Sequence, residues 1–278
     1  MPHSALAWSI PLMRLGYAGR GMVYVVVAGF SLYAIWRGGQ AQGTTSALSQ
    51  LETTVGGGVV LVLIFLGMLS YAVWRITASA FDLECHGADS RGMVARSWMV
   101  VTALLHLSIG VTAFSLLLTG SDGGGSSLAR WLSAVMSLPG GRLIIGLFGI
   151  AVVTVGLYFF DKGWNQRYRK YLRANHFTRH WNWLLKAGLI AKGAVVAVVG
   201  ILLLQAAWRA DPGQAGGVEK AFSWLTHQPY GWFLVVTICV GLLCFAFYCF
   251  VNAAHRTVPK VDGDIGTLAA RLRTKLAI

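Results

Sequence analysis

Residues 15–37 read LGYAGRGMVYVVVAGFSLYAIWR, and residues 187–209 read AGLIAKGAVVAVVGILLLQAAWR. At a constant offset of 172 they align Gly16 with Gly188, Arg20 with Lys192, Gly21 with Gly193, and Trp36-Arg37 with Trp208-Arg209. Each is an apolar run of about 20 residues, the helix length that crosses the hydrocarbon of a bilayer. Self-similarity at long range marks a tandem architecture, so this pair sets the reading of everything around it.

The copy continues past the opening helix. Residues 57–80 match 231–254, with Gly57/Gly231, Gly67/Gly241, Ala72/Ala246 and Ala80/Ala254 in register and Tyr71/Phe245 and Trp74/Tyr248 similar. A third, diverged copy lies between them. Residues 127–132 echo 46–51, and Gly140-Gly141 echo Gly56-Gly57, but Val101-Thr102 stand where the outer copies carry a cation and a glycine.

Run lengths predict six spans at about 15–36, 59–80, 98–118, 143–160, 187–208 and 232–254. Three short amphipathic segments, near Leu51, Trp131 and Trp224, join the two helices of each copy on one side. The expected fold is an all-α integral membrane protein: six transmembrane helices as three tandem two-helix repeats, with a pseudo-threefold axis along the membrane normal. It divides into an N-terminal arm (1–14), repeat 1 (15–82), a polar loop with repeat 2 (83–161), a basic connector (162–186), repeat 3 (187–256) and a basic amphipathic tail (257–278).

Composition agrees. The chain is 56% apolar and only 12% charged, where a soluble domain carries about 25% charged residues. Its net charge of +13 accompanies no nucleic-acid-reading motif, so no nucleic-acid partner is expected. Basic residues on a membrane protein set orientation and meet anionic lipid instead. With Arg20 and Lys192 assigned to their near ends, the arm, the second and fourth loops and the tail hold 18 of the 23 Lys and Arg. Both termini are therefore expected in the cytoplasm. An even number of helices per repeat inserts all three copies the same way up. No removable signal peptide is read at the N-terminus. The four cysteines form no disulfide framework.

The opening RGMVY, the glycine-flanked short segment, the second helix ending GMLSYAVWR and the threefold repetition resemble the bacterial Domain of Unknown Function 1206 membrane family. The resemblance covers about residues 15–256. It implies six spans in a bacterial inner membrane and no assigned chemistry, cofactor or substrate.

Several residues invite a functional reading. Arg20 and Lys192 are candidate anion or lipid-headgroup ligands; the plain alternative places each one turn from the cytoplasmic boundary, snorkelling outward. His106, about eight residues into the third span, is a candidate intramembrane polar group, either titratable or hydrogen-bonded to a neighbouring helix. A bis-histidine haem needs a second histidine at that depth, and the other spans have none. Asp161, ending the fourth span, reads as a candidate intramembrane polar residue or a local ion-pair partner, as do Asp82 and Glu84 after the second. Arg167, Arg169, Lys170 and Arg173 in the connector are candidate ligands for anionic lipid from an interfacial helix. His176 and His180 share one helix face at i, i+4, but HFTRH lacks the glutamate of HExxH. Cys239, Cys244 and Cys249, spaced by five, do not line one stripe. No metal site or cofactor is expected. Nor is an enzyme, since no nucleophile elbow, phosphate loop or zinc spacing occurs.

Two functions follow, the first preferred because the polar lining that a transporter needs is scarce in the spans. In one, the bundle is a membrane scaffold that binds lipid or a protein partner. In the other, it carries a small solute or ion along the repeat axis. A wet axis lined by Arg20, Lys192 or His106 separates them.

Overall fold

The computed structural model describes residues 8–120, 133–173, 176–211 and 216–258. The predicted middle short segment near Trp131 falls partly, and the tail from 259 wholly, outside the described residues. The helices are α1 (Ser9–Trp36), α2 (Thr44–Glu52), α3 (Gly57–Phe81), α4 (Ser90–Thr119), α5 (Gly141–Trp164), α6 (His176–His180), α7 (Asn182–Arg209), α8 (Val218–Thr226) and α9 (Gly231–His255). A 3-10 turn covers Arg167–Tyr171. Six of them, α1, α3, α4, α5, α7 and α9, are long and apolar enough to cross a membrane.

The helices run longer than the apolar runs. α1 begins at Ser9 and α7 at Asn182, so the described part of the expected N-terminal arm is already helix. Arg20 thus lies eleven residues into α1, about 16 Å at about 1.5 Å per residue, and Lys192 about 15 Å into α7. One turn into the apolar run is thus three turns into the helix. Arg14 and Lys186 interrupt the apolar sequence just before the two runs, although helical backbone bonding continues through a charged residue.

Each of the three second helices opens on the same device. Gly57, Gly141 and Gly231 each donate their N–H to the carbonyl three residues back, from Thr54, Leu138 and Gln228, at 2.9 Å. The residue before each is left-handed: Gly56 (φ 79°), Gly140 (φ 78°) and Tyr230 (φ 58°). A side chain on Gly57, Gly141 or Gly231 would strike the carbonyl of Leu51, Val135 or Thr226 respectively. The short helix and the long one are thereby joined by a turn that tolerates no Cβ at its second position.

Packing follows the repeats in an open row. α3 packs on α4, α5 on α7 and α9 on α1, each pairing a second helix with the first helix of the next copy. Within the outer copies α1 packs on α3 and α7 on α9, but α4 and α5 of the middle copy share no such packed face. Small residues set the close approaches. A Cβ at Gly16 would lie 2.6 Å from the Tyr71 Cα, and at the matching Gly188, 2.5 Å from the Phe245 nitrogen. Gly21 meets the ring of Phe250 on α9, while Gly193 meets the backbone of Gly156 and Phe160 on α5.

Two arginines close helix ends. Arg96 donates from Nε to the Ser79 carbonyl (2.7 Å) and from its terminal nitrogen to Ala80 (3.2 Å) at the end of α3. Arg142 does the same for the end of α7, on Ala207 (3.2 Å) and Trp208 (2.8 Å). Last-turn carbonyls lack helical partners, and a cation there also opposes the helix dipole. Arg142→Gln is expected to lower stability by about 1–2 kcal/mol, read from unfolding in mixed micelles. Arg37→Gln, whose exposed guanidinium rests on Tyr33 and Trp36, serves as the neutral comparison.

Candidate functional site

The bundle has two unlike ends. At one, α2 buries Ala47, Leu48 and Leu51, and α8 buries Phe222 and Leu225, in one apolar cluster with Val27, Leu61, Ile64, Leu116 and Val235. This is the capped end. The other, basic end carries the 82–89 loop, the connector and the close of α9.

Between them lies a cavity of about 120 Å³. Its wall includes Arg20, Val23 and Val27 of α1, Met68 of α3, His106 and Ile109 of α4, Lys192 and Val195 of α7, and Leu242 of α9. Thr44 and Val218, the first residues of α2 and α8, close it at the capped end. A single water needs only about 10–15 Å³ of such space.

Arg20 does not snorkel. It is 8% exposed and donates to the Tyr71 hydroxyl at 3.1 Å. Its guanidinium lies between the Tyr71 and Phe245 rings, 5.4 and 5.2 Å from their centroids. Those two residues are repeat equivalents, so second helices of the first and third copies clamp it. Its Nε is buried with no hydrogen-bond partner among the described residues. Lys192 sits half-buried with Nζ 4.8 Å from the Tyr24 ring, which itself meets Phe245 edge-on at 4.8 Å. Among the described residues no carboxylate forms an ion pair with Arg20 or Lys192.

His106 stands sixteen residues into α4, about 24 Å from its start and deeper than the sequence indicated. Its Nδ1 contacts the Thr102 carbonyl of its own helix at 2.7 Å, not a neighbouring helix as expected. Its ring lies 4.6 Å from that of Tyr71. The α4 helix therefore supplies a histidine where the flanking repeats supply cations. Sequence comparison missed this convergence because the middle repeat carries its basic group at a different register.

The remaining candidates lie apart from the cavity. Asp161 pairs with Arg167 (3.2 Å) and accepts from Asn165 (2.6 Å), a local interaction inside the last turn of α5. Arg167, Arg169, Lys170 and Arg173 are all exposed at the basic end. The interfacial helix expected for them is corrected to a 3-10 turn, an extended stretch and the short α6. The stretch is pinned by an antiparallel bridge of Leu172 to Arg256, with Arg173 donating to the His255 carbonyl and Thr257 to that of Tyr171. Tyr168 is buried and donates to Asn182 at 2.7 Å, and burial pushes its hydroxyl up to about 12. His176 and His180 stack at 6.1 Å, and no three potential ligands cluster as a metal site among the described residues.

The basic end holds a charge network that sequence reasoning did not assemble. Arg256 donates to Glu84 at 2.6 Å and to Asn252 at 3.1 Å, and its guanidinium faces Tyr17, Trp74 and Tyr171. Arg75 reaches the same carboxylate at 3.7 Å and donates to Thr102 at 3.2 Å. Burial alone would raise the Glu84 carboxyl, but the two guanidiniums prevail and hold it at about 2. Asp82 nearby is only partly shielded. Burial would raise its carboxyl, but the N–H groups of Gly87 and His86 together with nearby Arg96 hold it below the usual carboxylate value.

The family model described as Domain of Unknown Function (DUF1206) matches residues 15–82, 99–166 and 187–256. The chain belongs to the DUF1206 family. Arg20 and Lys192 are each the sixth residue of their DUF1206 segments, and His106 is the eighth of the middle one. Among curated proteins, "Uncharacterized protein YxxB" of Bacillus subtilis (strain 168) is 25% identical over 253 residues, covering 90% of this chain and 92% of that one. No solved structure matches significantly.

Proposed function

We propose that this DUF1206 protein is a multi-pass membrane protein whose three repeats surround a ligand cavity, and that it works by binding or passing a solute there rather than by catalysis. The observation that carries this reading is the cavity itself, walled by Arg20, His106 and Lys192 and open enough for several waters. Buried basic groups in an apolar bundle cost free energy and are retained where they act on a substrate path. A dry axis packed by Leu, Val and Phe would have favoured a pure scaffold.

In this reading the termini and the basic end face the cytoplasm, because 16 of the 23 Lys and Arg fall in the arm, the second and fourth loops with their flanking helix ends, and the tail, with Arg20 and Lys192 set apart in the cavity wall. Exposed Arg167, Arg169, Lys170 and Arg173 then meet anionic headgroups as a secondary contact. The second-to-first helix pairing repeated through the row supports a pseudo-threefold axis along the membrane normal, opened at the middle copy.

Orientation is tested on Cys85, the exposed native cysteine of the 82–89 loop. A membrane-impermeant maleimide should label it only in permeabilised cells; labelling in intact cells would reverse the orientation. The cavity reading is tested by purification from native membranes followed by mass spectrometry of retained small molecules. A molecule held by the native chain should be lost from the cavity-filling Val195→Trp variant. Identical retention in both, with the variant folded, would return the bundle to the scaffold reading.

A further inference from the structure

We infer that the cavity is an oxyanion site, taking a phosphate-like group through Arg20, Lys192 and His106, one basic residue from each repeat. This deepens the solute-binding reading and rests on it. The charge balance gives the sign of the ligand. The cavity wall contains two cations and a histidine and no Asp or Glu. The carboxylate nearest in role, Glu84, is already committed to Arg256 and Arg75.

Hydrogen-bond capacity gives its chemistry. A guanidinium has five N–H donors, and the Arg20 side chain makes one protein hydrogen bond, to Tyr71, leaving its buried Nε unpartnered. Such a donor, left alone in a dry interior, is expensive; one acceptor with several oxygens satisfies it together with the Lys192 ammonium. His106 donates from Nδ1–H to the Thr102 carbonyl, so in the neutral ring Nε2 is an acceptor, suited to the protonated oxygen of a hydrogen phosphate. Tyr71 accepts from Arg20, so its hydroxyl hydrogen is available to another acceptor. Aromatic faces from Tyr71, Phe245 and Tyr24 hold both cations without neutralising them. The free donors of Arg20, Lys192 and Tyr71 thus face the space with net positive charge, and His106 Nε2 is left to accept one hydrogen from the ligand.

Size limits the ligand. A space of about 120 Å³ admits one small oxyanion or one phosphate headgroup, not an acyl chain. Free phosphate and a phospholipid headgroup share this chemistry, and the experiment separates them.

The full chain is placed in nanodiscs of phosphatidylcholine alone and titrated with inorganic phosphate, sulfate and chloride, following intrinsic tryptophan fluorescence and thermal unfolding. A parallel arm uses nanodiscs with phosphatidylglycerol and native mass spectrometry of retained lipid. The expected result is saturable binding of phosphate or sulfate over chloride in the first arm, or selective retention of the anionic lipid in the second. In either arm Lys192→Met and Arg20→Gln should weaken binding on the order of tenfold to a hundredfold, the range for a lost charged hydrogen bond. Arg37→Gln, at an exposed cation that rests on Tyr33 and Trp36 outside the cavity, should bind as the native protein does. Lys192 is only half-buried, so Lys192→Met carries the test if Arg20→Gln does not fold.

Affinity for phosphate, sulfate and anionic lipid unchanged in folded Lys192→Met would overturn the inference. So would the absence of binding in both arms. A neutral small molecule lost from Val195→Trp but indifferent to Lys192→Met would refute the oxyanion while leaving the cavity reading standing.

Discussion

Replacing Glu84 by Gln should destabilise the protein by about 3–5 kcal/mol, because it leaves two buried guanidiniums without their anion. The carboxylate is 7% exposed and binds Arg256, itself 5% exposed, at 2.6 Å, with Arg75 beyond. A fall in its pKa from the usual 4.5 to about 2 corresponds to about 3 kcal/mol by linkage, the same scale as the substitution. The sign is fixed by the direction of that shift. The stabilisation is complete above about 4.5, where the carboxyl is ionised in folded and unfolded chains alike, and it is lost as pH falls through about 2. Equilibrium unfolding in mixed micelles between pH 6 and pH 2 should therefore show a steep loss in the native protein. Glu84→Gln should start lower and lack that component. Equal slopes for the two proteins would remove the network from the stability of the fold.

Gly16→Val and Gly188→Val should each cost about 3 kcal/mol, at the upper end for overpacking. The added carbon at Gly16 meets the Tyr71 main chain, and that at Gly188 meets the main chain of Cys244 and Phe245. No rotamer can yield, so α1 must part from α3, or α7 from α9. These are matched contacts in two copies of one repeat, and near-equal losses are expected. Gly29→Ala is the contrast, since nothing lies within 4 Å of its added carbon, and a helical alanine gains up to about 1 kcal/mol. Thermal unfolding monitored by size-exclusion chromatography reads all three. A Gly16→Val protein as stable as Gly29→Ala would show that the helices have room the geometry denies them.

The six long helices were legible because lipid-length apolar runs need no knowledge of neighbours, and their ends moved by only a few residues at α3, α5 and α9. The starts of α1, α4 and α7 were not, because Arg14 and Lys186 break the apolar sequence inside α1 and α7, and α4 begins in the polar stretch SRGMVARS. Arg20, one turn into the apolar run, therefore lies three turns into its helix. The turn glycines Gly57, Gly141 and Gly231 were visible as repeats, and the structure supplies their reason. The pairing of Glu84 with Arg256 was invisible: the partners are 172 residues apart and nothing local marks either. The meeting of His106 with Arg20 and Lys192 was equally hidden, since the middle repeat offers a different residue from a shifted position.

The absence of a packed face between α4 and α5 bears on how the chain is assembled. Helices α4, α3 and α1 form one contiguous slab, α5, α7 and α9 form another, and α1 against α9 is the major contact joining them. The unit duplicated in the gene and the unit that packs in space are thus out of phase by one helix. A chain severed between residues 120 and 133 would leave two three-helix halves, each retaining its own close-packed neighbours, that need only dock edge to edge to restore the whole.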